Sequence, residues 1–169
     1  MTTKTVLRAT CACGQVAIEA RGRPIITVVC YCDDCQAAGR QIEALPGAPP
    51  VLDDDAGTQL VVFRKDRLDC VQGQDRLAPH KLEPASPTSR YVASCCNTAL
   101  YLGFDDARHW VDVFRRRVEG TPPPIEMRIC TRFRPAGTAL PTDAPSRPGF
   151  TVGLIARFMA ARIAMMFGR

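Results

Sequence analysis

Three cysteines close together, Cys30, Cys32 and Cys35, lie in the run Val29-Cys30-Tyr31-Cys32-Asp33-Asp34-Cys35. In an extended strand, side chains at i and i+2 leave from the same face, so Cys30 and Cys32 point together and Tyr31 points away. A tight turn through Asp33 and Asp34 returns Cys35 towards them. Three thiolates around zinc leave a fourth position for water, substrate or another residue, and an open fourth position separates a reactive zinc site from a structural one. Cys11 and Cys13 repeat the i,i+2 geometry in Cys11-Ala12-Cys13-Gly14. Cys95 and Cys96 are a further source of ligands. Adjacent residues of a regular strand face opposite ways, so both can join one site only where the backbone turns; the expectation is one ligand and one small buried hydrophobe. Cys70 and Cys130 stand alone in the sequence and are expected in the core.

The elements that must position these thiols read as strands. Apolar and β-branched runs over 6–11, 16–21, 25–29, 59–63, 68–71, 90–96, 99–102, 110–114 and 125–133 are separated by turn residues. Gly14 suits the tight turn between the first two. Residues 36–42 suit a short helical turn, and Pro79, Pro84 and Pro87 make that stretch irregular. The expected fold is mainly β, with small antiparallel sheets around the cysteine sites and a helix at the C-terminus.

At 169 residues with 46% hydrophobic side chains, the chain suits one domain with an appended tail. The polar start, Met1-Thr2-Thr3-Lys4-Thr5, is unlike a secretory signal. Nine cysteines in a chain expected in the cytoplasm read better as metal ligands than as disulfides. Net charge is +5, from 22 basic against 17 acidic residues. The basic run Arg115-Arg116-Arg117 has acidic neighbours Asp112 and Glu119 and no aromatic recognition motif, so no nucleic-acid partner is expected.

Domain organisation follows from composition: a zinc-binding β domain over 1–134, a Pro-rich linker over 135–149 and an amphipathic helix over 150–169. Leu154, Ile155, Phe158, Met159, Ile163 and Met166 fall near helical spacing, interrupted by Arg157 and Arg162. The segment is too short and interrupted for a membrane span. It suits a helix that covers the body, self-associates or lies on a membrane surface.

The order of the cysteine motifs resembles the glutathione-dependent formaldehyde-activating enzyme family, which also includes centromere protein V-like domains. The matching pieces are Cys11-Ala12-Cys13-Gly14, Cys30-Tyr31-Cys32-Asp33-Asp34-Cys35 and Cys96-Asn97-Thr98-Ala99-Leu100, with Arg90 before the last of them. The likeness spans about residues 5 to 115. It implies small antiparallel sheets in a β-tent arrangement and two zinc sites. One would be structural, using Cys11, Cys13 and a C-x-x-C pair, and one reactive, using Cys30, Cys32 and Cys35. The implied reaction forms or cleaves S-hydroxymethylglutathione from glutathione and formaldehyde.

Three departures from the family pattern matter. Ala93 stands where the family has the first cysteine of its last pair, so Cys95 and Cys96 both become ligand candidates. Tyr31 replaces a histidine inside the triplet, and a phenol titrating near pH ~10 is a poor proton shuttle at neutrality. Gln36, Ala37 and Ala38 follow Cys35 where basic residues are usual, leaving Arg40 as a nearby cation for a carboxylate-bearing thiol.

On that resemblance, the expected chemistry is a thiolate held at the open metal position adding to a small carbonyl, with Cys30, Cys32 and Cys35 as the zinc-mediated catalytic set. Tyr31, Asp33, Asp34 and His80 are candidate supporting groups, and His109 is expected to be structural. The partner would be a small-molecule thiol or thiol adduct. Two alternatives stay open: a non-catalytic zinc-stabilised binding module, and a redox-responsive protein.

Overall fold

In the computed structural model, residues 5–168 are described. The polar start over 1–4 and Arg169 of the tail lie outside them. The β-rich expectation holds. Strands β1 (Val6–Thr10), β2 (Ala17–Arg21) and β5 (Leu68–Gln72) form one antiparallel sheet in the order β1-β2-β5. The second sheet has seven strands, β10-β3-β4-β9-β8-β7-β6. These are β3 (Ile26–Cys30), β4 (Thr58–Arg64), β6 (Leu77–His80), β7 (Thr88–Ala93), β8 (Thr98–Phe104), β9 (Trp110–Phe114) and β10 (Met127–Ile129). All pairings are antiparallel except β10 with β3, which run parallel. Strand β6 contains Pro79 inside the stretch expected to be irregular. It is tolerated because β6 is the edge strand, where a missing N–H costs no ladder bond.

Strand periodicity divides the large sheet into two working faces. Val61, Phe63, Leu100, Val111 and Val113 pack with Val16, Ile18 and Ala20 of the small sheet. The opposite face carries Ile26, Val28, Leu60, Val62 and Leu102, covered by two helices. The first, α1 (Asp33–Glu43), starts three residues before the expected turn because Cys32 caps it. Its Gly39 lies so close to Leu52 that a Cβ there would sit 2.5 Å from the leucine Cδ2. The second, α2 (Val152–Met166), has a Thr151 cap donating shape to its first turn: the Thr151 hydroxyl accepts from the Leu154 amide at 3.2 Å.

Leu154 is the buried residue of α2, and Phe158 packs against Trp110 with ring centroids 4.4 Å apart. His109 Nε2 is 2.8 Å from the Phe158 carbonyl, which gives it the structural part expected of it. Ile155, Met159, Ile163 and Met166 remain exposed, so most of the apolar tail does not cover the body. Within residues 135–149, expected as a linker, the stretch 143–147 lies beside β10. The Arg128 amide donates to the Pro145 carbonyl at 2.9 Å, and the Arg147 amide donates back to Arg128 at 2.8 Å.

Candidate metal centres and their cavity

The triplet is assembled by a strand end and a helix start. Cys30 closes β3, Cys32 is the N-cap of α1, and Cys35 lies in the first helical turn. Their three sulfurs lie within 4.8 Å of one another. The Cys32 Sγ accepts from the Cys35 amide at 3.4 Å, the bond a capping side chain makes. A helix N-terminus favours negative charge, so the local structure supports a thiolate. Gln36 fixes the start of α1 by donating to the carbonyls of Tyr31 (2.7 Å) and Phe133 (2.8 Å).

The thiols divide the charge unequally. Hydrogen bonds from Cys30 and Cys35, with the Cys35 amide and the Arg90 charge, overcome burial and pull Cys32 down to about 3. Cys30 is pushed up, first by its hydrogen bond with Cys130, then by Cys32, Cys35 and burial. For Cys35, the Cys30 thiol pulls down, but the Cys32 thiolate and burial push it up further. A bound cation would favour the thiolate form of all three.

Four sulfurs make the second cluster: Cys11, Cys13, Cys95 and Cys96, again within 4.8 Å of one another. Cys11–Cys13 is 3.6 Å, Cys13–Cys95 3.3 Å, Cys11–Cys95 3.9 Å and Cys95–Cys96 3.9 Å. Tetrahedral zinc with bonds of ~2.3 Å needs sulfurs about 3.8 Å apart, so the set fits with small adjustment. Of the Cys95–Cys96 pair, one thiol is expected at the cluster and the other in the core, whereas the structure brings both to the cluster. Both face the cluster because they occupy a turn between β7 and β8, closed by the Cys96 amide on the Ala93 carbonyl (3.3 Å) and by Asn97 at φ 52. Burial raises Cys96, but the Thr98 hydroxyl, the Cys13 amide and the Cys13 and Cys11 thiols bring it down to about 6. Burial and the neighbouring thiols push Cys95 up to about 12. Cys70 stands apart, its thiol on the carbonyls of Gln72 and Ala17.

Cys130 is in the core as expected, near enough to Cys30 to push that thiol up. The parallel pairing of β10 with β3 sets Ile129 opposite Cys30 and delivers the next residue to the site in a left-handed conformation, φ 58.

The triplet opens onto a cavity of about 170 Å³ on the helix-covered face. Its walls are Ile26, Val28, Leu60, Val62, Leu102 and Trp110, with Leu154 and Phe158 of α2 above. Four charged residues are among its lining: Asp34, Arg90, Arg108 and Asp112. Arg90 donates to the Asp34 carbonyl at 3.2 Å through Nη2, while its Nη1 is buried without a partner. Asp112 is 7% exposed and its Oδ1 is likewise buried without a partner. Burial raises its carboxyl to about 7, with Arg108 pulling down and Cys32 pushing up.

That shift carries a prediction. An acid held near 7 in the fold and near 3.8 in the unfolded chain destabilises the fold as pH rises between those values, because the native state then binds more protons. The 3.2-unit gap (7 less 3.8) is worth about 4 kcal/mol. Asp112→Asn is therefore expected to raise the urea midpoint at pH 8 and leave it unchanged at pH 3.5; equal midpoints at pH 8 would contradict the burial.

Other expected supporting groups lie elsewhere. Tyr31 points to the opposite face, donating to Asp55 (2.7 Å) and accepting from Arg128 (2.5 Å); burial and Asp55 raise its pKa, so it carries no proton traffic for the cysteines. Asp33 and Arg40 are exposed. His80 meets Gln41 at 3.1 Å at the sheet edge. Asp112 had a sequence signal: an acid between Val111 and Val113, in phase with Trp110 and Phe114, is placed on an apolar face.

Residues 6–45 match the family model described as "Glutathione-dependent formaldehyde-activating enzyme". A search of the curated proteins found no match. Among solved structures, a Rhodobacter sphaeroides protein is similar with 18% identity and a TM-score of 0.48, over 69% of this chain and 91% of that chain. No helix among the described residues is long and apolar enough to cross a membrane.

Proposed function

We propose that this chain, which resembles the glutathione-dependent formaldehyde-activating enzyme family as a divergent member, is a zinc-dependent carbon–sulfur lyase that forms or cleaves thiol–carbonyl adducts. The observation that carries this reading is the convergence of Cys30, Cys32 and Cys35 beside a cavity at which Arg90 Nη1 and Asp112 Oδ1 are buried without a protein partner. Cys11, Cys13, Cys95 and Cys96 would hold a structural zinc, four thiolates closing its shell. At the triplet, zinc would supply Lewis acidity and stabilise a substrate thiolate. Arg90 and the N-terminus of α1 add positive potential there. The apolar walls exclude water, which strengthens both effects.

One observation favours the second reading, a zinc-stabilised module without catalysis. Cys130 beside Cys30 is a candidate fourth thiolate, and a four-thiolate shell would leave no place for substrate. Incubating the zinc-loaded protein with glutathione and formaldehyde, and following the adduct by NMR exchange, separates the two. Accelerated interconversion is expected. No acceleration with both zinc ions retained would favour the module.

Nine free thiols suit a reducing compartment such as the cytoplasm, and the exposed Ile155, Met159 and Ile163 of α2 suit peripheral membrane contact or self-association.

A further inference from the structure

The large sheet sets Arg90, Leu102 and Asp112 in one row: Arg90 pairs with Leu102 across β7 and β8, and Leu102 with Asp112 across β8 and β9. All three side chains face the cavity. With neighbouring strands ~4.8 Å apart, the Cα atoms of Arg90 and Asp112 are about 10 Å apart, and the Arg90 charge acts on Cys32 on the same side of the sheet. Arg90 Nη1 and Asp112 Oδ1 are the buried groups in this row that have no protein partner. A buried polar group without a partner carries a desolvation cost that a ligand would relieve. A ligand with one acceptor atom at Arg90 and an oxygen that can exchange a proton with Asp112 satisfies both.

The cavity sets the rest of the ligand. An apolar void of about 150 Å³ holds a benzene-sized molecule, and this one measures about 170 Å³. Formaldehyde would leave most of it empty. Resting on the thiol–carbonyl reading above, we propose that the preferred carbonyl substrate is a small apolar aldehyde of about four carbons, its oxygen at Asp112 and the thiolate sulfur on the Arg90 side, with Asp112 the catalytic acid and base. In the forward direction the thiolate sulfur forms a bond to the carbonyl carbon. The C=O π electrons move to oxygen, and oxygen takes the Asp112 proton. In reverse, the hydroxyl proton returns to the Asp112 carboxylate as the C–S bond breaks and the thiolate leaves. Asp34, Arg108 and the cysteine cluster are the other charged or titratable groups facing this space.

Trp110 lines the cavity and is the single tryptophan of the chain, so its fluorescence reads binding without turnover. The probes are 1-sulfanylbutan-2-ol and butane-1-thiol, which differ by one hydroxyl, titrated into zinc-loaded protein. The expected result is about tenfold tighter binding of the hydroxy thiol, with the preference falling below about twofold in Asp112→Leu at unchanged zinc content. Equal binding of the two thiols by the unsubstituted protein, or an intact preference in Asp112→Leu, overturns the proposal and leaves the thiol site standing. Binding of neither overturns both. Asp112→Asn, which keeps the side-chain shape, provides the second arm: with butanal and glutathione its kcat is expected to fall about 100-fold at unchanged affinity for butane-1-thiol. A kcat equal to that of the unsubstituted protein overturns the acid–base role.

Discussion

Serine at position 32 is expected to cost the triplet its zinc and the protein its turnover while leaving the fold in place. Cys32 does two separable jobs. Its sulfur is the thiolate of the cluster, pulled down to about 3 by its neighbours, and it caps α1 by accepting from the Cys35 amide. Serine is among the best N-cap residues, so Cys32→Ser keeps the second job and removes the first. Changes merely to groups supporting a ligand cost 10–100-fold in metal affinity, and loss of a ligand is expected to exceed about 100-fold. Zinc measured by elemental analysis should fall from two ions per chain to one, adduct interconversion should vanish, and the thermal transition should stay cooperative. Unchanged zinc content, or loss of folded structure, would count against an independent reactive site.

The second large effect concerns the four-sulfur cluster. It joins the turn after β1 to the turn between β7 and β8, residues 84 apart in sequence, and so ties the small sheet to the large one. Structural zinc bound by cysteine-rich sites is worth roughly 10–16 kcal/mol in small domains, comparable to the whole stability of a typical fold. Cys13 is the cleanest residue to change. It is exposed, whereas Cys11 is buried and also accepts from the Val16 amide at 3.2 Å. If Cys13→Ser forfeits even 4 of those kcal/mol, Tm falls by roughly 8–16 °C. Thermal unfolding followed by circular dichroism reads this directly, and a Tm within about 2 °C of the unsubstituted protein would show that the cluster does not hold the sheets together.

The contrast between the two sites shows what sequence could and could not reveal. Cys11–Cys13 and Cys30–Cys32 were readable because an i,i+2 pair on an extended chain converges whatever the rest of the fold does. Cys35 followed from a short-range turn, although the turn is the start of α1 rather than a loop before it. The strands were readable from their apolar alternation, and β6 was missed because Pro79 argues against a strand except at an edge, a property of the whole sheet.

Cys130, Arg90 and Asp112 belong to a different class. Cys130 comes near Cys30 through a parallel pairing of strands about 100 residues apart, and Arg90 shares a row with Asp112 through the register of three strands. Neither pairing leaves a local mark. The joint placement of Cys95 and Cys96 at the cluster needs the turn geometry at Ala93 to Asn97, where the sequence reads as strand. The tail was readable as a helix, but not which part of it would dock: Leu154 is buried while its neighbour Ile155 is exposed, a choice made by the shape of the body beneath.

All of this converges on the fourth position at Cys30, Cys32 and Cys35. The most direct test is a crystal structure of the zinc-loaded protein with the metal located by anomalous scattering at the zinc edge. The expected result is one ion among Cys11, Cys13, Cys95 and Cys96, and a second bound by the three triplet sulfurs at ~2.3 Å, its remaining position turned to the cavity and taken by water or an added thiol. A zinc ion bound at that same distance by Cys130 as well, or no zinc at the triplet, would contradict it.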